Sequence, residues 1–264
     1  MQDAKEACKS LSSSELFKGI SRDEIDVIVS GARTLEFASG DVIQSAGNAV
    51  TQVLLLVDGR IKRSQFSENG QEVVLRLGIP GELITDINSL PKSRYSSTVS
   101  ALQDCKVLAW GVASFNAIVE HFPGLQKNVE AILLSRLAEL SQRFCEVSTK
   151  ETFPRLAMCL IGLVDRIGER VDEHIELRVS QEILGQMTGM TLNSVCSVLS
   201  IWKGQGIVKL RRGIVEIHNL PHLSNCAELV GRDSQVVSKA IFKNVFLSLR
   251  HLEEVRTGES VPCT

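Results

Sequence analysis

The stretch GQMTGMTLNSVCSVLSIWKGQG, Gly185 to Gly206, constrains the fold more than any other segment. Gly185 falls where two helices cross too closely for a side chain between them. Gly189 falls four residues on, at a turn that needs a positive φ, which glycine adopts without steric cost. Ser180 can cap the helix before that turn and Thr191 the helix after it, because each hydroxyl can accept a backbone N–H left free at a helix start. Val195, Val198 and Leu199 form the buried stripe of the second helix, which leaves Leu192, Asn193, Ser194, Cys196 and Ser197 on or near its outer face. This is the spacing of a helix-turn-helix. The run GIVKLRRGIVEIHN follows, two β-rich segments around Arg212-Gly213, so the unit reads as a winged helix-turn-helix. Yet from Thr191 to Ile201 the second helix carries no charged side chain.

Upstream, the chain to about residue 112 is β-like. TQVLLLVDGRIKRSQFSENGQEVVLRL reads as strand, DG turn, strand, ENG turn, strand. Short strands with regularly placed turns predict a sandwich or rolled barrel. From Phe122 the pattern changes to a helix, with Pro123 in its first turn. Leu133, Leu137, Leu140, Phe144 and Val147 recur at steps of four and three, the seam of a coiled coil, and predict self-association. Val129, Ile132 and Leu134 supply a second apolar face for packing on the β-domain. Polar EVSTKET, Glu146 to Thr152, marks a hinge, followed by an amphipathic helix and a strand-like HIELRVS. An amphipathic segment over 234–252 lies in a tail with no assigned role.

The formal net charge is -2, so affinity for nucleic acid must come from a local basic surface. Lys203, Lys209, Arg211 and Arg212 at the helix end and wing, with Ser180 and Gln181 at the first helix, are the candidate phosphate contacts. Leu192, Asn193, Ser194 and Ser197 are the candidate base-reading positions, and Thr191, the cap of their helix, is counted with them at the DNA-binding face. The longest apolar run, VLLLV from Val53, is far too short to span a bilayer. The N-terminus lacks the order of a signal peptide. A cytoplasmic location with no membrane partner is expected. Seven dispersed cysteines without a CxxC pair predict free thiols and argue against a tetrahedral zinc site, which usually shows paired ligands at short spacing, so no metal site is expected. No G-x-S-x-G, P-loop or H-E-x-x-H pattern is present, so no enzyme is expected.

Over about residues 15 to 220 the chain resembles the cyclic-AMP receptor/fumarate-nitrate regulator (CRP/FNR) family of bacterial transcription factors. The resemblance rests on order as well as motifs: LFKGIS, FASGDVI, AG, VLLLVDGRIKR, PGELI, the long helix, the hinge, and VSQEILGQMTGMTLNSVCSVLSIWKGQGIV. It implies an α+β fold with an N-terminal cyclic-nucleotide-binding-like β-roll (1–121), a long dimerisation helix and hinge (122–149), and a C-terminal winged helix-turn-helix (150–220), followed by an extension (221–264). It also implies a homodimer on a palindromic promoter in double-stranded DNA, RNA polymerase as a partner, and a small effector in the roll.

Two departures matter. In cyclic-AMP-binding members an Arg-Ser pair after the Gly-Glu turn holds the phosphate. Here Gly81 and Glu82 match, but the pair's positions hold Tyr95 and Ser96, and Arg94 lies one residue early, which turns it to the opposite face. Gly81, Glu82, Arg94, Tyr95 and Ser96 are therefore the candidate effector residues, with an effector other than cyclic AMP expected. The family's reading helix usually carries Glu and, four residues on, Arg; here Asn193 and Ser197 stand there. No cofactor is expected: an iron-sulfur cluster needs a tight N-terminal cysteine cluster and only Cys8 is there, and no histidine lies in the roll strands to ligate haem. A thiol switch at Cys105 or Cys145 is a lesser option. The competing reading is a sensor dimer with a degenerate DNA element that acts through protein partners.

Overall fold

The structure, a computed structural model, describes residue 11 and residues 14–85 and 93–228. Cys8, Cys263 and the stretch expected over 234–252 lie outside them. The β-roll is two antiparallel sheets. One has the order β1 (Arg33–Phe37), β7 (Cys105–Gly111), β3 (Gln52–Asp58). The other has the order β2 (Val42–Gln44), β6 (Thr98–Ala101), β4 (Ile61–Phe66), β5 (Glu72–Gly78).

The alternation of β3 explains its unbroken apolar run. Leu54 and Leu56 enter the core between the sheets with Ile61, Ile84, Val99 and Val107. Val53 and Leu55 face the other way, into a second core with Trp110, Phe115, Leu125, Val129 and Ile132. A strand covered on both faces has no polar register. Trp110 Nε1 donates to the carbonyl of Ile28 at 2.9 Å, so the indole is buried with its donor satisfied.

Helices flank the roll where the sequence reading placed none. α1 (Arg22–Ser30) starts from a reciprocal capping box between Ser21 and Glu24, a local signal that β-like surroundings obscured. α2 (Val112–His121) begins ten residues before the expected change of pattern at Phe122. α3 (Pro123–Thr149) is the long helix. It runs through most of the polar stretch expected to be a hinge, and the break is only Lys150 and Glu151. Arg155 fastens that break, with Nη2 donating to the Lys150 carbonyl at 2.6 Å.

The C-terminal domain holds α4 (Thr152–Ile167), α5 (Gln181–Thr188) and α6 (Leu192–Gly204) over a sheet of order β10 (Val208–Arg211), β11 (Ile214–Ile217), β9 (His174–Leu177), β8 (Glu169–Val171). Its core runs past residue 220. α7 (Leu220–Glu228) buries Leu223 and Cys226 in the cluster formed by Leu160, Leu184, Leu199 and Trp202. Among the described residues no helix is long and apolar enough to cross a membrane.

Gly59, between β3 and β4, tests the roll's closure. It has φ +91, and a Cβ there would overlap the Asp104 carbonyl oxygen and approach Cys105 Cα to 2.9 Å. Gly70, at the next turn, has φ +77 and open space around it. Gly70→Ala should cost only the left-handed backbone penalty, about 1–2 kcal/mol. Gly59→Ala adds overlap with backbone atoms and should cost about 2–5 kcal/mol in urea denaturation. Equal losses for the two variants would show that the turn opens freely.

Candidate functional site

The helix-turn-helix is built as its spacing requires. Ser180 Oγ accepts from Ile183 N at 3.1 Å and Thr191 Oγ1 from Ser194 N at 3.2 Å. A Cβ on Gly185 would stand 2.9 Å from the Met190 carbonyl, and Gly189 has φ +67. Val195, Val198, Leu199 and Trp202 are buried under α6, while Leu192, Asn193 and Ser197 stay open to solvent. Asn193 has no hydrogen-bond partner for its amide among the described residues, so both its donor and its acceptor are available.

Several neighbours are more committed than the sequence suggested. Ser197 Oγ donates to the Asn193 carbonyl at 2.9 Å, and the Thr191 and Ser194 hydroxyls lie 2.9 Å apart within the cap. Cys196 does not face out: its thiol is half-buried and donates to Gln181 Oε1 at 2.8 Å, which ties α6 to α5 and occupies one end of Gln181. Lys203 and Arg212 are exposed. Lys209 is exposed and sits 3.8 Å from Glu216. Arg211, expected to face phosphate, is exposed but pairs with Glu176 and Glu216. A bond from His218, with help from Arg211 and Lys209 against the cost of burial, holds the Glu216 carboxyl below the usual carboxylate range.

The candidate effector residues are each engaged with other parts of the chain. Gly81 has φ +88 and donates its N–H to the Leu56 carbonyl at 2.7 Å. Glu82 is occupied by Arg76 at 3.2 Å and by Arg166 of α4. Arg94 is exposed and donates to the Gly47 carbonyl at 2.6 Å. Tyr95 is half-buried, with its hydroxyl 3.4 Å from the Gln52 carbonyl. Ser96 is exposed and accepts from Gln65 through its carbonyl. The guanidinium that does sit beside this segment is Arg63 of β4, which the sequence reading passed over. It donates to Ser97 Oγ at 2.7 Å and to the Ile84 carbonyl. A charged residue mid-strand between two polar neighbours looks solvent-facing in sequence, and no local signal separates it from Lys62.

On α3, Val129 and Ile132 pack on the roll as expected, but Leu134 is exposed and Leu133 is half-buried against the roll core. Leu137, Leu140 and Phe144 are 54%, 52% and 74% exposed, an open apolar stripe. Burial pushes the thiol of Cys105 up, and that of Cys159 to about 11. Arg143, the basic neighbour that could activate Cys145, instead donates to the carbonyls of Leu75 and Met187.

Residues 34–122 match the model of the cyclic nucleotide-binding domain, and residues 154–226 that of the Crp-like helix-turn-helix domain. The chain is 26% identical over 214 residues to the cyclic AMP receptor protein of Thermus thermophilus, covering 81% of this chain and 97% of that one. It is 25% identical over 179 residues to the transcriptional regulatory protein btr of Bordetella pertussis, 67% of this chain and 72% of the relative. The structure of FixK2 from Bradyrhizobium japonicum superposes with a TM-score of 0.66 at 18% identity, over 76% of this chain and 99% of that one. With a nucleotide-binding-type roll, a long helix and a Crp-type winged element in one order, the chain belongs to the CRP/FNR family of DNA-binding transcription regulators.

Proposed function

We propose that the protein is a homodimer that places two α6 helices in successive major grooves of a palindromic promoter, under control of a signal in the β-roll. The observation that carries this reading is the solvent-open face of α6, where Leu192 and Asn193 stand at its first turn with Lys203, Lys209 and Arg212 around its far end and wing. Affinity comes from phosphate contacts, and base reading needs hydrogen bonds but not charge. Asn193 can pair with adenine N6 and N7, and Leu192 can pack on a thymine methyl. An A·T-leaning half-site follows, repeated about one helical turn away. RNA polymerase is the further partner that the family implies.

The dimer reading is supported by the stripe on α3. Apolar area of this kind is uncommon on a monomer surface. Burying Leu137, Leu140 and Phe144 should contribute on the order of 1.5–3 kcal/mol per side chain. Leu137→Glu should give monomers by light scattering; a dimer persisting at micromolar concentration would show that the interface lies elsewhere.

The signal is a small molecule other than cyclic AMP. Arg94 faces outward and Glu82 is held by two arginines, so neither of these two motif positions offers the free partner that a cyclic phosphate needs. Calorimetry with cyclic AMP should show no tight binding, and nanomolar affinity would overturn this reading of the roll.

Asn193→Ala should cost roughly 1–3 kcal/mol on the preferred site and little on random duplex. Selection from a random pool supplies that site. A G·C-centred palindrome would refute the Asn193 contact. No enrichment at all would favour the competing reading, a sensor dimer acting through protein partners, which the uncharged face of α6 keeps in play.

A further inference from the structure

The sheet of the C-terminal domain buries a group of side chains that base reading does not use. Glu176 on β9 and Glu216 on β11 are directly opposed cross-strand partners, and they are 6% and 3% exposed. Like charges facing each other across a sheet repel, and a carboxylate taken out of water needs a cation or strong donors. His174 and His218 stand beside them, with rings stacked at a centroid distance of 4.9 Å and planes 14° from parallel. His218 Nε2 lies 3.1 Å from Glu216 Oε2. Among the described residues His174 Nε2 is buried with no hydrogen-bond partner, 3.6 Å from Glu176 Oε1. One ligating atom from each of His174, Glu176 and Glu216 lies within 4.8 Å of the others.

Arg211 holds the two carboxylates, with Nε on Glu216 and Nη2 on Glu176. Lys209 and Arg178 stand further off, at 3.8 Å and 3.6 Å. This compensation leaves His174 Nε2, a potential donor or ligand, aimed at the carboxylates and unserved.

We propose that this cluster binds a divalent transition cation of the zinc type, with His174, Glu176 and Glu216 as ligands and His218 as the fourth, and that the cation takes the place of Arg211. Two imidazole nitrogens and two carboxylate oxygens form the mixed donor set that such cations accept in four-coordinate geometry. Zinc bonds of about 2.0–2.2 Å require the ligand atoms to close up, which side-chain rotation on strands already in register allows. The cation and the guanidinium need the same oxygen lone pairs, so they exclude each other. His218 is partly open to solvent and supplies the entry. Displaced, Arg211 projects from the end of β10 at the wing and becomes a phosphate contact; this last step alone rests on the DNA reading above.

Calorimetry of zinc chloride into the reduced full chain tests the site. One equivalent should bind at micromolar affinity. Arg211→Met should tighten binding by removing the competitor, and the His174→Ala, His218→Ala double variant should abolish it. Cobalt(II), which needs no variant, should give the visible bands of a tetrahedral site without a thiolate charge-transfer band. Absence of binding, binding that survives the double variant, or a thiolate band would overturn the site. Unchanged affinity in Arg211→Met would overturn the displacement. Zinc should also steepen the salt dependence of duplex binding by about two phosphate contacts per dimer, one from each protomer. An unchanged slope with zinc bound would remove only the link to DNA.

Discussion

Strand β5 is packed by both halves of the molecule, and the placement of the DNA-binding domain depends on it. Val74 and Leu77 of β5 belong to the same buried cluster as Leu184, Met187 and Leu199 of the helix-turn-helix. Polar groups along the strand fix the angle of docking. Glu72 accepts from Gln186 of α5 at 3.1 Å and pairs with Lys62 at 2.8 Å. Burial alone would raise the Glu72 carboxyl, but Lys62, Ser64 and Gln186 outweigh it and hold it below the usual range. At the other end Arg166 Nε donates to the Leu77 carbonyl at 2.6 Å. Arg76 and Arg166 share Glu82 and Glu139, which joins roll, long helix and C-terminal domain in one set of half-buried charges.

These contacts join the roll to α6, the route that the proposed signal would take. The link between α3 and α4 is two residues long, and Arg155 anchors its carbonyl while also reaching the Thr188 carbonyl at 3.4 Å. Arg143 spans the Leu75 and Met187 carbonyls, so one side chain of the long helix touches the roll and the turn element together. A ligand changes the balance between two arrangements only by binding one of them better. Glu82 sits where that difference would be felt. It lies beside the roll turn at Gly81, yet its carboxylate holds Arg166 of the C-terminal domain. Any effector that competes for Glu82 or its arginines weakens the docking of that domain.

How far the sequence revealed this depends on the range of each signal. Gly185, Gly189, Ser180 and Thr191 were legible because close approach, positive φ and capping are demands made by the local backbone. The turns at Gly59 and Gly70 were legible for the same reason. Partners remote in sequence were not legible. Glu82 was singled out because its neighbours match a motif, and its partner Arg166, 84 residues away, left no local signal. Arg211 looked like a free wing cation because Glu176, its partner 35 residues upstream, alternates with apolar neighbours as a solvent-facing glutamate would. Leu133 and Leu134 exchanged their expected faces, since adjacent positions on a helix differ by about 100° and the a/d pattern does not say which edge the roll covers.

The same commitments limit what α6 can say to DNA. The Ser194 and Ser197 hydroxyls are used within the helix, while the amide of Asn193, which can make a two-point base contact, stands free at the open face. A good two-point base contact contributes about 1–3 kcal/mol of discrimination, so a symmetric pair contributes about 2–6 kcal/mol. Specific regulators separate from their own non-specific binding by about 4–10 kcal/mol. The base contacts alone therefore reach at most the lower part of that range. The remainder has to come from DNA whose groove width or bending suits the dimer, because deformation energy discriminates at positions the protein never touches. In the proposed dimer, recognition would then depend more on how the two reading helices are spaced than on what they carry. Each C-terminal domain is docked on β5, so a signal that shifted the docking would change recognition without altering a single base contact.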